Sequence, residues 1–307
     1  MISTQIALLK RELWEHRAIY ITPLVIALIV SMMSITGQVA VSAFDQVVDI
    51  AILGATNLGE AERRSAITVL MVSMSTLFIM AMWILTIFYT LDSLYAERKD
   101  KSILFWRSIP VTDAETVASK LITALVVIPF TTFAVLAATH LVVLSISSIW
   151  VSAKGANAAF LIWQAAPLVE NWTATLIFLL AMPLWLSPFV GWFLLVSAYA
   201  KRSPLLVAFL PIILLPMVER IFLGTKFFSD AIFVRSGKIP LFHGVNGHGI
   251  WTDNPEELHE LGRSGISLLS LFDLTGFITS PGLWLGLAVC GLFTSAAIYV
   301  RRFRDES

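Results

Sequence analysis

Six stretches of this chain, about 19–41, 67–91, 121–150, 173–200, 204–218 and 282–300, contain no Asp, Glu, Lys or Arg. Roughly 20 apolar residues suffice for a helix to cross the hydrocarbon core of a bilayer. In that medium each backbone N–H and C=O must find its partner inside the protein, which makes helices the natural form for such runs. The fifth run is short and reaches Gly224 only by taking in Glu219 and Arg220. Composition agrees, since 57% of the 307 residues are hydrophobic and 14% charged, against roughly 25% charged in a soluble domain. The expectation is an all-α integral membrane protein with six transmembrane helices, forming a single domain over residues 1–307. Because the first run is long and a second follows, it reads as a span and not as a cleavable signal peptide.

Lys and Arg placement sets the orientation. With the N-terminus inside, the inner segments hold Lys10, Arg11 and Arg17; Arg98, Lys99, Lys101, Arg107 and Lys120; Lys201 and Arg202; and Arg301, Arg302 and Arg304. Most of the remaining cations lie in the long last loop, which the rule discounts. Both termini are therefore expected to be cytoplasmic, in a membrane of the bacterial inner (plasma) type. The formal net charge is zero, so nucleic acid is not an expected partner. Cys290, the single cysteine, falls in the last span, excludes an intrachain disulfide, and reads as packing.

Ahead of the first span, Ile2, Ile6, Leu9 and Leu13 share a helical stripe with Arg11, Glu12 and Glu15 away from it. This predicts an amphipathic interfacial helix over 1–18. The first outer loop, 42–66, predicts two short helical pieces broken at Gly54 and Gly59. Pro183 and Pro188 in span four, and Pro204, Pro211 and Pro216 in span five, predict kinks. The outer segment 224–281 is too long for a simple connector. Asn254-Pro255-Glu256-Glu257 marks a helix start there, and the apolar run Ile266–Ile278, interrupted by Asp273 and Gly276, predicts two short re-entrant helices. Gly282 and Gly286 predict a close helix approach in the last span. Asn171-Trp172-Thr173 matches a glycosylation sequon.

The groups that membrane catalysts and ion carriers use are sparse. No Walker A loop is present, the nearest string being Arg235-Ser236-Gly237-Lys238. The charge-free spans disfavour an ion-coupled carrier. His140 is the one titratable side chain deep in an apolar run, and it reads best as a neutral His bonded to a neighbouring helix. His243, His248 and His259 lie in the outer loop without a recognisable ligand spacing, so no metal is expected. The chain is not expected to be an enzyme by itself.

What remains is the charged interlude Glu97–Lys120 between spans two and three, with Ile103, Leu104, Phe105, Trp106 and Ile109 in its middle. Apolar side chains inside a charged segment suit a docking surface better than a linker. Thr112 followed by Glu115 is a capping box, so a helix is expected to start at Asp113 and run into span three. The order Glu97-Arg98, Ser102, Ile103-Leu104-Phe105-Trp106, Pro110-Val111-Thr112 and Lys120 resembles the membrane subunit of type-2 ATP-binding-cassette exporters, the ABC-2 permeases. Six spans, an amphipathic N-terminal helix and a long outer segment before the last span extend the resemblance over the whole chain. Lys101-Ser102 stands where that family often has Gly-Thr.

The resemblance implies a permease paired with two copies of a cytoplasmic ABC ATPase and with a second copy of itself, in contact with membrane lipid. ATP and Mg would be bound by the ATPase, with no cofactor on this chain. Residues 93–119 would form the cytoplasmic coupling segment, with Glu97, Arg98, Lys101, Ser102, Leu104, Phe105, Trp106, Ile109, Pro110, Thr112 and Glu115 coupling to the ATPase. Met71, Met74, Phe78, Trp83 and Phe209 would line the translocation path for an apolar or amphipathic cargo. Residues 224–281 would form the outer gate, with Phe272, Asp273 and Phe277. The alternatives are a non-transporting sensor or scaffold that uses the same insert, and a membrane enzyme that uses the outer histidines.

Overall fold

The structure, a computed structural model, describes residues 2–39, 54, 56–100, 111–237, 239–242 and 268–303. Among these residues there is no strand, and six helices are long and apolar enough to cross a membrane. The chain is thus an all-helical integral membrane protein.

Helix α1 (Ile2–Glu15) turns at His16 and Arg17 into α2 (Ala18–Val39). Helix α3 (Glu60–Lys99) is continuous over 40 residues, about 60 Å at 1.5 Å per residue. That length exceeds the roughly 30 Å hydrocarbon core of a bilayer. Glu60 and Glu62 in its first turn and Arg98 and Lys99 in its last complement the helix dipole. Gly59 is its N-cap, with Glu62 Oε2 accepting from the Gly59 N–H at 3.1 Å. The break expected at Gly59 is therefore the start of the span's own helix; residues 40–53 of that loop lie outside the described residues.

Helix α4 (Asp113–Ala153) is of similar length. It opens on the Thr112 capping box: Thr112 Oγ1 accepts from the Glu115 N–H at 3.2 Å, and Glu115 Oε2 from the Thr112 N–H at 3.0 Å. Residues Thr123–Val127 form a π-helical turn just ahead of Pro129. A proline ring clashes with the carbonyl four residues back in a regular α-helix, here that of Leu125, and the wider turn relieves the clash.

Span four differs from the single helix expected over 173–200. It starts earlier, as α5 (Leu168–Trp185), stops at Leu186, and resumes as α6 (Ser187–Tyr199). Pro188 has no N–H to give to the α5 ladder, so the chain restarts with proline in a first turn, where none is needed. Helix α7 (Pro204–Leu223) follows a tight turn in which Ser203 adopts φ 46°. Its last turn, Glu219–Leu223, is π-helical, so the span runs through Glu219 and Arg220. Helix α8 (Phe227–Gly237), a short 3₁₀ turn at Leu268–Leu271, α9 (Leu274–Thr279) and α10 (Pro281–Phe303) complete the described chain.

Helix α10 packs along α6, α2 along α4, and α3 against α2, α4 and α6. The backbones of α6 and α10 come close at Gly191, where a β-carbon would lie 3.0 Å from the Cα and carbonyl oxygen of buried Cys290. Gly282 and Gly286 do not serve the helix approach expected of them. They make room for side chains instead, Gly282 for the Trp185 ring and Gly286 for the Arg235 guanidinium. Asn171 is buried within α5 and donates to the Pro167 carbonyl at 3.3 Å, so the sequon is structural and not a glycan acceptor.

Candidate functional site

The interlude that stood out in the sequence lies between the end of α3 and the start of α4, at the end of the bundle that Lys and Arg placement makes the expected inner one. Lys101, Ser102, Leu104, Phe105, Trp106, Ile109 and Pro110 lie outside the described residues, as do His243, His248, His259 and Asn254–Glu257. What the structure describes is the root on which the interlude stands. Glu97, buried at the end of α3, is met by cations from three other elements. Arg11 Nη2 of α1 lies 2.8 Å from Oε1, Lys120 Nζ of α4 lies 3.0 Å from the same oxygen, and Arg301 of α10 pairs with Oε2.

The network extends further. Lys120 Nζ also meets Glu12 Oε1 at 2.9 Å, and neither side chain has any exposed surface. Tyr89 donates its hydroxyl to Glu12 Oε2 at 2.8 Å. Arg301 Nε reaches Asp113 Oδ1 at 2.8 Å, and Arg11 Nε reaches Glu15 Oε1 at 2.8 Å. Burial draws the Arg11 guanidinium down, but its bonds to Glu15 and Glu97 carry it above its ordinary value. Burial also holds the His16 imidazole below its ordinary value, against the pull of Glu12.

Breaking one partner of a buried pair leaves a charge without solvent or counter-ion, typically at a cost of about 3–5 kcal/mol. Glu97 therefore makes the inner ends of α1, α3, α4 and α10 into one block. Arg98, its neighbour, binds a different element: Nη2 donates to the carbonyls of Ser197 and Ala200 at 2.7 and 2.8 Å, closing the C-terminus of α6. Ser197 Oγ in turn accepts from the Leu94 and Tyr95 N–H groups, each at 3.0 Å. Glu97 and Arg98 thus point into the bundle and fix the root of the interlude. Thr112 and Glu115 fix its far end.

The ion-pair roles of Glu12, Asp113 and Arg301, and the hydrogen bond of Tyr89, escaped the sequence reading. The apolar stripe assigned to α1 placed Glu12 on a polar face, yet the side turned to the bundle is Leu8 and Glu12, while Ile6 and Trp14 are exposed. The available signal was that acids accompany the cations at the inner helix ends, Glu12 beside Arg11, Glu97 beside Arg98, and Asp113 before Lys120.

The five residues expected on a translocation path are not all gathered at one place. Met71 and Met74 are buried with Val143, Trp83 packs on the cluster of Leu85 and Leu179, and Phe209 lies with Phe193 at 5.5 Å between ring centroids. Phe78 is fully buried. His140 ties three helices: Nε2 lies 3.2 Å from the Met71 carbonyl, while Nδ1 accepts from Trp172 Nε1 at 3.3 Å. This is the hydrogen bonding of a neutral imidazole with its proton on Nε2.

On the opposite side, Phe272 and Phe277 pack with Leu241 and Trp185 against α5 and α10, and the Asp273 N–H donates to the Leu241 carbonyl at 2.7 Å. Asp273 acts as an N-cap, its Oδ1 accepting from the Gly276 N–H at 2.7 Å. Arg235 of α8 donates Nε to the Trp185 carbonyl at 2.7 Å and Nη1 to the Gly282 carbonyl at 2.5 Å, over the Trp185 ring. It thereby seals the break between α5 and α6. Burial lowers its affinity for the proton below that of an exposed guanidinium. Glu219 caps α8, accepting from the Phe227 and Phe228 N–H groups at 2.6 and 2.8 Å. Glu170 of α5 joins Arg64 of α3 to the Leu268 N–H.

No family model, curated protein or solved structure matches this chain.

Proposed function

We propose that this protein is the membrane subunit of an ATP-driven exporter of the ABC-2 type, moved by a separate cytoplasmic ATPase that docks on residues 101–110. The observation that carries this reading is the Glu97 hub. Two helices of about 60 Å converge on a short segment bearing Leu104, Phe105 and Trp106, and its root is ion-paired to α1, α4 and α10. A push on such a segment reaches four elements at once, which a mere tether would not require.

In this reading α1 lies in the inner interface with Ile6 and Trp14 toward lipid. The short helices around Phe272, Asp273 and Phe277 close the outer end. Two copies of the chain assemble with two ATPases, and cargo of apolar or amphipathic character passes between them. The membrane is of the bacterial inner type, with both termini cytoplasmic.

The test is affinity purification of the tagged chain from its native membrane. The reading expects an ABC ATPase to accompany it, and Leu104→Glu or Trp106→Glu to release that ATPase while the chain stays folded. Purification without any ATPase, or retention of it by both charge variants, would contradict the reading.

A further inference from the structure

A cavity of about 310 Å³ opens where the α1–α2 turn, the inner part of α3 and the start of α7 meet. Its wall is mostly apolar and aromatic, with Phe88, Tyr89 and Tyr95 among its residues, and Asp92 is the one carboxylate among its described residues. Asp92 is exposed, and it acts on the neighbouring His16 imidazole, pulling it upward against burial. Among the described residues Asp92 forms no ion pair of the kind that Glu12, Glu97 and Asp113 make with Lys120 and Arg301.

The other polar groups of the wall do not neutralise it. His16 lines the cavity and stands edge-on to Tyr89 at 4.9 Å, with burial drawing its imidazole below its ordinary value against the pull of Glu12 and Asp92. The Tyr89 hydroxyl is committed to Glu12. Arg98 lies 6.0 Å from the centre of the Tyr95 ring, with its guanidinium turned to the carbonyls of Ser197 and Ala200. Among the described residues the wall contains no Lys or Arg, so a phosphate or sulfate would find no counter-charge among them.

Aromatic faces around a lone carboxylate recognise organic cations, the rings through their negative faces and the carboxylate through its full charge. We propose that this cavity binds an amphipathic organic ammonium ion, its head at Asp92 and Tyr95 and its apolar body along Leu85, Phe88 and Leu205. The site goes beyond the exporter reading and does not depend on it, because it requires only this chain.

The purified chain in neutral maltoside detergent is titrated calorimetrically with decyltrimethylammonium below its micellar concentration, with decyl sulfate as the control of opposite charge. Saturable one-to-one binding of the ammonium is expected, weakened about tenfold in Asp92→Asn and about threefold in Tyr95→Leu, with none for decyl sulfate. Both substitutions lie at the accessible rim, and unchanged melting curves establish that the variants are folded. Equal affinity of the wild type and Asp92→Asn, or equal binding of decyl sulfate, would overturn the proposal. So would displacement by stoichiometric phosphatidylcholine, which would assign the cavity to a lipid headgroup.

Discussion

The two ends of the helix bundle use charge in opposite ways. At the inner end, charge meets charge: Glu97, Glu12, Lys120, Arg11 and Arg301 form one buried network across α1, α3, α4 and α10. At the outer end most charges meet backbone: Glu219 holds the N–H groups of α8, and Arg235 holds the carbonyls at the α5–α6 break and at Gly282. A network shared by four elements resists movement of any one of them. Latches that each join two or three elements can open one at a time. The ion network thus ties four elements together at one end, while the contacts at the other end join two or three elements each.

Several substitutions break or sharpen that contrast. Glu97→Gln leaves three cations facing a neutral side chain and is expected to destabilise the protein by about 3–5 kcal/mol, seen as the largest fall in melting temperature of the purified protein. Glu12→Gln and Lys120→Met, alone and combined, should show a coupling of about 0.5–3 kcal/mol. Additive effects would mean that the inner end is not a network. Thr112→Ala removes a cap and should cost about 1 kcal/mol, with faster hydrogen exchange confined to the first turn of α4. Glu219→Gln should speed exchange at the Phe227 and Phe228 amides without moving the inner end. Spread of that effect to α1 would erase the distinction between the two ends.

The smallest effect is one of pH. A histidine held below its ordinary pKa in the fold takes up its proton more readily when unfolded. Its contribution to stability is therefore complete above the unfolded value of about 6.5 and is lost as pH falls through the lower folded value. Melting temperature should begin to fall below about pH 6.5, and His16→Gln should reduce that slope.

The spans were legible because run length and the absence of charge are local signals, and the Thr112 cap because Thr and Glu three residues apart suffice to form it. The ion network was not, because Glu12 and Lys120 are joined only by the fold, 108 positions apart. Charges at span ends read equally well as interfacial anchors. Gly282 and Gly286 show the same limit: small residues announce that something comes close, but whether it is a helix or the Arg235 side chain depends on where α8 lies. The α5–α6 break was half legible, since Pro188 forbids an unbroken ladder without saying whether the helix bends or stops.

The central claim is that the Glu97 hub carries force between a docked ATPase and the spans. ATP hydrolysis by the purified complex, compared between wild type and Glu97→Gln at a temperature where both are folded, tests it most directly. The account predicts that the variant keeps its ATPase bound but no longer raises that ATPase's rate above the rate of the free enzyme. Full stimulation by the Glu97→Gln complex would contradict it.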